Sequence, residues 1–251
     1  MIAFLHYGDS CGYNPVMSDL LRTSLRVLED SLPASLEAIY AWNLKHGYDV
    51  ERIGKYSYIS FAIPLYEDTE RLIVFVYADG QLIADFSGFH GPVGTILSDT
   101  EFIEVCRRES DWMDLEQLVF MNFAFDAKAD DEVMLVGSSY VSLAWRRQGI
   151  FREMERCAQR FALRTHMEEC RYICVFSLDP DVPCYGPDAV DEPYVYSFER
   201  DEPLRNRNMQ ILEKLGYQEY DVDFGEIGAD GAKHRFAWKS EMVAAEEAGQ
   251  A

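Results

Sequence analysis

The sequence predicts an α/β (α+β) domain, one mixed central sheet flanked by helices with insertions, and three observations carry that expectation. Residues 71–78 (RLIVFVYA) and 81–90 (QLIADFSGFH) are strand-like runs on either side of Asp79-Gly80, a pair that favours a tight hairpin turn. Residues 133–143 (VMLVGSSYVSL) read as a third strand, and an amphipathic helix follows after a short turn. Residues 171–177 (RYICVFS) then form a short buried strand, succeeded by a helix that stops at Gly216.

The first seventy residues read as helical with loops. Leu20, Leu21, Leu25 and Leu28 make one apolar stripe, and Ser35 is placed to cap a second helix carrying Leu36, Ile39, Tyr40 and Trp42 as far as Gly47. Residues 91–130 form an insertion of helical and irregular sequence, with a helix expected around Phe102–Arg108. Gly137 interrupts the third strand, which marks a bulge or a close approach of backbone or ligand. The helix from Ile150 to His166 presents Met154, Cys157, Ala158, Phe161 and Ala162 at spacings of three and four. Five of the nine prolines fall in 178–204, which is read as a second insertion, a long loop. A helix over Arg205–Leu215 and strands over 217–227 and 233–239, turning at Asp230-Gly231, complete a single domain spanning 1–239. Residues 240–251 are expected to be a solvated tail.

Charge narrows the function. The chain carries −21, which disfavours nucleic acid, because binding phosphates needs a basic surface. Two readings of the acidity stay open: it attracts a cationic substrate such as an amine, or it only keeps the chain soluble. Six cysteines without a CxxC pair, and no clustered histidines, argue against structural zinc. No run reaches the length of a membrane helix and the N-terminus lacks a basic leader, so a cytoplasmic protein with reduced thiols is expected.

One segment runs against the overall charge. From Ala144 to His166 six arginines face two glutamates, a local charge of +4. Arg152, Arg156, Arg160 and Arg164 read best as a solvated stripe paired with acidic neighbours. Arg146 and Arg147 lie in the turn itself, where a strand ends, Gly149 permits close backbone approach and a helix begins. The N–H groups and dipole of such a helix start suit a pyrophosphate.

The stretch VSLAWRRQGIFREME resembles the coenzyme-binding motif of the GNAT acetyltransferases, with Val141, Trp145, Arg146, Gln148, Gly149 and Ile150 matching. Downstream, NMQILEKLGYQEY (Asn208–Tyr220) resembles that family's second motif, and the hairpin at Asp79-Gly80 resembles its second and third strands. The resemblance covers about residues 71–90 and 131–239, in the family's order. It implies an acyl-CoA-dependent N-acetyltransferase that uses acetyl-CoA as co-substrate, with no metal and no covalent nucleophile. Backbone groups of Ser139, Tyr140 and Val141 would meet the pantetheine arm, the one at Ser139 polarising the thioester carbonyl. The amides of Arg146, Arg147, Gln148, Gly149, Ile150 and Phe151 would hold the pyrophosphate, and Asn208 would contact the coenzyme arm.

Departures from the family pattern bear on the chemistry. Leu143 replaces a proline, Arg147 a glycine, and Phe151 a small residue at the end of the phosphate turn. Leu212 stands where many members place the tyrosine that protonates the leaving thiolate, and Leu135 where some carry a glutamate base. Tyr194 and Tyr196, with Tyr185, are the nominated proton donors, in an insertion that reads either as an acidic, aromatic lid or as a solvated loop. Asp85 is a base candidate, or a structural carboxylate. The expected partners are a small-molecule or peptide amine and, as assembly, a homodimer, with no nucleic acid and no membrane. A catalytically silent CoA-binding or regulatory module on the same fold is the alternative, and Leu135, Leu212 and Phe151 favour it.

Overall fold

The computed structural model describes residues 15–66, 68–98, 127–164, 166, 169–178, 187–188, 198–219 and 236–243. Two helices open the chain, α1 (Pro15–Val27) and α2 (Leu36–His46). Ser35 caps α2 by accepting the Ala38 N–H, and Gly47 ends it at φ 100°. Leu21, Leu25 and Leu28 are buried, so the predicted stripe is a core face.

The chain then departs from the helical reading of the first seventy residues. Strands β1 (Asp49–Ile53) and β2 (Tyr56–Tyr66) form a hairpin, followed by β3 (Thr69–Ala78) and β4 (Gln81–Pro92). Aromatic and β-branched residues at 56–63 favour a strand, but Pro64 obscures the signal. Pairing with β1 involves only Tyr56–Ser60, so Pro64 sits where β2 is itself the sheet edge and owes no N–H to a neighbour on that side. Asn43 of α2 covers this edge. Its Nδ2 donates to the Ala62 carbonyl (2.7 Å) and the Ala62 N–H donates to its Oδ1 (3.1 Å).

A short helix α3 (Val93–Ser98) follows β4, then β5 (Glu132–Val141), α4 (Ile150–Leu163), β6 (Cys170–Ser177), α5 (Phe198–Glu213), β7 (Gln218–Glu219) and β8 (Phe236–Val243). The start of the 91–130 insertion is therefore strand and helix, and the helix expected at Phe102–Arg108 lies outside the described residues. The 178–204 loop is shorter than expected, because α5 begins at Phe198 and carries Pro203 inside it. Strand β8 reaches Val243, four residues into the expected tail.

These strands form one eight-stranded sheet in the order β1-β2-β3-β4-β5-β6-β8-β7. Every pair is antiparallel except β5 with β6. The expected mixed sheet flanked by helices is what the chain builds. On β3, Leu72, Val74 and Val76 join the core shared with α4 and α5, while Ile73, Phe75 and Tyr77 join the core under α1 and α2. Burial on both faces explains why β3 reads as a continuous apolar run. All five residues predicted for the α4 stripe are buried, and Met154 and Phe161 each contribute about 1.5–3 kcal/mol by that burial.

Candidate active site

The site begins with a disagreement in length between two strands. Parallel pairing of β5 with β6 runs from Glu132↔Tyr172 to Val136↔Phe176 and stops there. Beyond it, β5 continues through Val141 paired only with β4. A register shift between Ser87 and Gly88 leaves Gly137 as the extra residue, the bulge expected at that glycine. A Cβ on Gly88 would lie 2.7 Å from the Leu135 carbonyl oxygen, so only glycine lets the two strands approach there. The sheet thus parts between β5 and β6.

A groove of about 1180 Å³ fills that opening. Its floor is Val136–Val141, one wall is the turn and first residues of α4, and the other is the face of α5 bearing Leu204, Asn208, Ile211 and Leu215. Asn208 donates from Nδ2 to the Leu178 carbonyl (3.4 Å), tying α5 to the end of β6. Among the described residues, the lining includes Arg146, Arg147, Arg152, Arg207 and Lys214 and no Asp or Glu, with Asp188 at its edge. Five cations gathered in a chain of −21 make the described lining of this trough basic, a field that favours an anionic ligand.

Local geometry at the turn follows from two left-handed residues, Arg147 at φ 65° and Gly149 at φ 79°. Position 147 is where the resemblance expects glycine, and the backbone has kept the glycine conformation under an arginine. The first intrahelical bond of α4 runs from the Glu153 N–H to the Gly149 carbonyl (3.2 Å). The amides of residues 149–152 precede it and have no acceptor within the helix. Arg146 donates from Nε to the Val141 carbonyl (2.8 Å), and its guanidinium lies over the Tyr140 ring, which fixes the turn against the end of β5.

The structure brings nine of the ten proposed coenzyme residues, Ser139, Tyr140, Val141, Arg146, Arg147, Gly149, Ile150, Phe151 and Asn208, into the lining of one groove. Gln148 is not in that lining; its Oε1 accepts the Tyr56 hydroxyl instead. Tyr56 also meets the Trp145 ring edge-on, and Lys55 lies over Trp145, so the unforeseen β1–β2 hairpin buttresses the turn. The Phe151 ring packs 5.7 Å from that of Phe176. Arg156 pairs with Glu153 and Arg160 with Glu51, in keeping with the paired-stripe reading, whereas Arg164 bonds the Phe161 carbonyl and lies over the Phe161 ring. Arg152 departs from it and lines the groove. Arg207 and Lys214 were not singled out, although 204, 207, 208, 211 and 215 repeat at helical spacing and mark one face.

Other nominees divide. Tyr185, Tyr194 and Tyr196 lie outside the described residues. From the insertion, Asp188 reaches the site's edge, where Oδ2 accepts the Tyr140 hydroxyl (3.3 Å) and the Leu143 N–H (3.2 Å). Leu135 and Leu212 are both buried. Asp85, on β4 opposite Tyr140, is only 2% exposed and accepts the Ser138 hydroxyl at Oδ1 (3.2 Å). Burial pushes its carboxyl up to about 7, against the lowering effects of the Ser138 hydrogen bond and the Arg71 charge. Burial likewise pushes the thiols of Cys157 and Cys174 up to about 12, which makes them poor nucleophiles. Among the described residues no group of three or more His, Cys, Asp or Glu side chains is arranged to hold a metal ion, and no helix is long and apolar enough to cross a membrane.

Fold and groove together define a class: a mixed sheet opened between two parallel strands above a basic trough, in agreement with the resemblance to GNAT acetyltransferases. No family model matches the chain, and no curated protein does. Solved structures similar to it include an apo mutant of agmatine N-acetyltransferase, at 12% identity and TM-score 0.34 over 68% of this chain and 76% of that one. Arabidopsis thaliana NAA60 in complex with acetyl-CoA aligns at 9% identity and TM-score 0.34 over 92% of this chain and 95% of that one. Drosophila melanogaster polyamine N-acetyltransferase aligns at 11% identity and TM-score 0.36 over 68% and 74%.

Proposed function

We propose that the chain transfers an acetyl group from acetyl-CoA to a primary amine by direct attack, without a covalent enzyme intermediate. The observation that carries this reading is the groove itself, where the strand edge that β6 no longer covers and a helix start whose first amides have no intrahelical acceptor meet under five cations. A ligand that is anionic at one end and extended and amide-bearing along its length matches both parts. In coenzyme A the pyrophosphate would lie at residues 146–152, and the pantetheine arm would pair with Ser139–Val141 and pass Asn208. The apolar side chains of Leu204, Ile211 and Leu215 would cover its methylene groups. The thioester would then sit at the splay of β5 and β6, where a backbone N–H aimed at its oxygen would stabilise the charge that builds as the amine attacks. The net charge of −21 favours a cationic acceptor, a small amine or a peptide amine.

The test has two steps. Titration calorimetry with acetyl-CoA should give saturable binding, and Gly149→Glu should abolish it in a folded protein, because bulk and negative charge both oppose the pyrophosphate. Thiol release should then be followed over polyamines, aminoglycosides, amino acids and peptides. Binding without turnover of any amine would favour a silent coenzyme-binding module, the reading that apolar Leu135 and Leu212 support. Absence of binding would sink both.

A further inference from the structure

Amine acetylation has a proton to dispose of. An acceptor amine is an ammonium ion near neutral pH and cannot attack a thioester until one proton leaves. Leu135 and Leu212, at the two positions where the sequence resemblance expects proton-transfer groups, are apolar and buried. A group that receives the proton must lie within hydrogen-bond reach of the nitrogen, directly or through one intermediary.

Ser138 lines the groove one residue past the Gly137 bulge, where β5 has just left β6. Its hydroxyl donates to Asp85 Oδ1 at 3.2 Å. Asp85 does not line the groove and is 2% exposed, so among the described residues Ser138 is the link between its carboxylate and the site. A buried carboxylate facing a reaction groove through one hydroxyl is costly to keep merely for structure, since among the described residues burial of the charge is offset by the Ser138 hydrogen bond and the nearby Arg71. We propose that Ser138 and Asp85 form a proton relay for the acceptor amine, with Ser138 touching the nitrogen and Asp85 as the terminal acceptor.

This inference rests on the acetyltransferase reading above. In the relay the Ser138 oxygen takes a proton from the ammonium while its own proton moves to Asp85 Oδ1. The freed lone pair forms the C–N bond, and the C–S bond breaks with its electron pair on sulfur. The second nitrogen proton neutralises the thiolate, directly or through water, and Asp85 returns its proton to solvent by way of Ser138. The products are amide, free coenzyme thiol and one released proton, which balances the reaction. A carboxyl raised to about 7 suits the task, being about half ionised at neutral pH yet basic enough to hold a proton briefly. Among the described residues, the groups around it are Arg71 and its register partner Phe75 from β3, Ser87 from its own strand, which accepts Arg71 Nε at 3.0 Å, and Ser138 and Tyr140 from β5. Tyr77 of β3 is occupied with Ser24 of α1 (3.0 Å).

The experiment is the pH profile of kcat/KM, with acetyl-CoA and the fastest amine of the panel, for wild type, Asp85→Asn and Ser138→Ala. Wild type should rise with pH and level off near 7, because the relay accepts the ammonium form once Asp85 is ionised. Asp85→Asn should fall about 100-fold or more at neutral pH. Its residual rate should climb roughly tenfold per pH unit, without the break near 7, since only the free amine then reacts. Ser138→Ala leaves the carboxylate and the core in place; its kcat should fall at least about tenfold, with acetyl-CoA affinity unchanged by calorimetry. Retention of the break near 7 in Asp85→Asn, or wild-type kcat in Ser138→Ala, would overturn the relay while leaving the acetyltransferase reading intact. Failure of wild type to turn over any amine would instead remove that reading, and the relay with it.

Discussion

Asn43 takes both backbone groups of Ala62, donating to its carbonyl at 2.7 Å and accepting its N–H at 3.1 Å, so that a side chain of α2 continues the ladder where β1 has ended. Asn43 is wholly buried and also donates to the Ile39 carbonyl (3.0 Å). Asn43→Ala would leave the Ala62 N–H and carbonyl without these partners where β2 is the sheet edge. The expected loss is about 2–4 kcal/mol, at one to two unsatisfied groups. Urea denaturation followed by circular dichroism measures it, and a loss under about 1 kcal/mol would show that water replaces the amide.

Arg147 occupies a left-handed conformation, φ 65°, in the turn that faces the groove. Glycine would relieve strain of about 1 kcal/mol there, and its freedom in the unfolded chain would offset a similar amount. Arg147→Gly is therefore expected to change stability by less than about 1 kcal/mol. Acetyl-CoA affinity should weaken roughly 5-fold, as one exposed charge–phosphate contact of about 1 kcal/mol is lost. Calorimetry and a thermal melt on the same protein separate the two effects; unchanged affinity would place Arg147 outside the phosphate contact.

His90 sits at the far end of β4, away from the groove, 3.1 Å from Glu132 and 3.5 Å from Glu70, and Glu132 also meets His166 (3.2 Å). Burial alone would lower the His90 pKa, but the two carboxylates overcome it and raise it to about 9. A folded value above the unfolded value near 6.5 means that the imidazolium stabilises the fold. That contribution is fully present below about pH 6.5 and is lost as pH rises through 9. Stability should fall by up to about 3 kcal/mol between pH 6 and 10, and Glu132→Gln should flatten this part of the curve. Chemical denaturation at a series of pH values provides the check, and equal slopes in both proteins would refute the coupling.

A cationic acceptor drawn by the field of an acidic chain should bind less well as salt screens that field. The apparent acceptor KM is expected to rise with ionic strength for a polyamine and to stay flat for an uncharged amine of similar size. Parallel curves for the two would leave the acidity as a solubility feature.

Most of what the sequence determined was local. The hairpin at Asp79-Gly80, the cap at Ser35, the stop at Gly216 and the buried stripe of α4 each follow from residues within a turn or two of one another, and each is present as expected. The shape of the turn proposed for the pyrophosphate was legible for the same reason: strand end, glycine and helix start are contiguous. Tertiary structure decided the rest. Strands β1 and β2 were hidden because Pro64 is tolerated only at an edge, and that edge exists only where β1 ends and Asn43 arrives from α2. The cations Arg207 and Lys214 join Arg146 and Arg147 only because the parting of β5 from β6 opens a groove with α5 on its far wall. Asp85 was a base candidate from the sequence, but its hydroxyl partner Ser138 and its raised pKa came from the tertiary structure, for a carboxylate's pKa depends on what surrounds it in space and not on its neighbours in sequence.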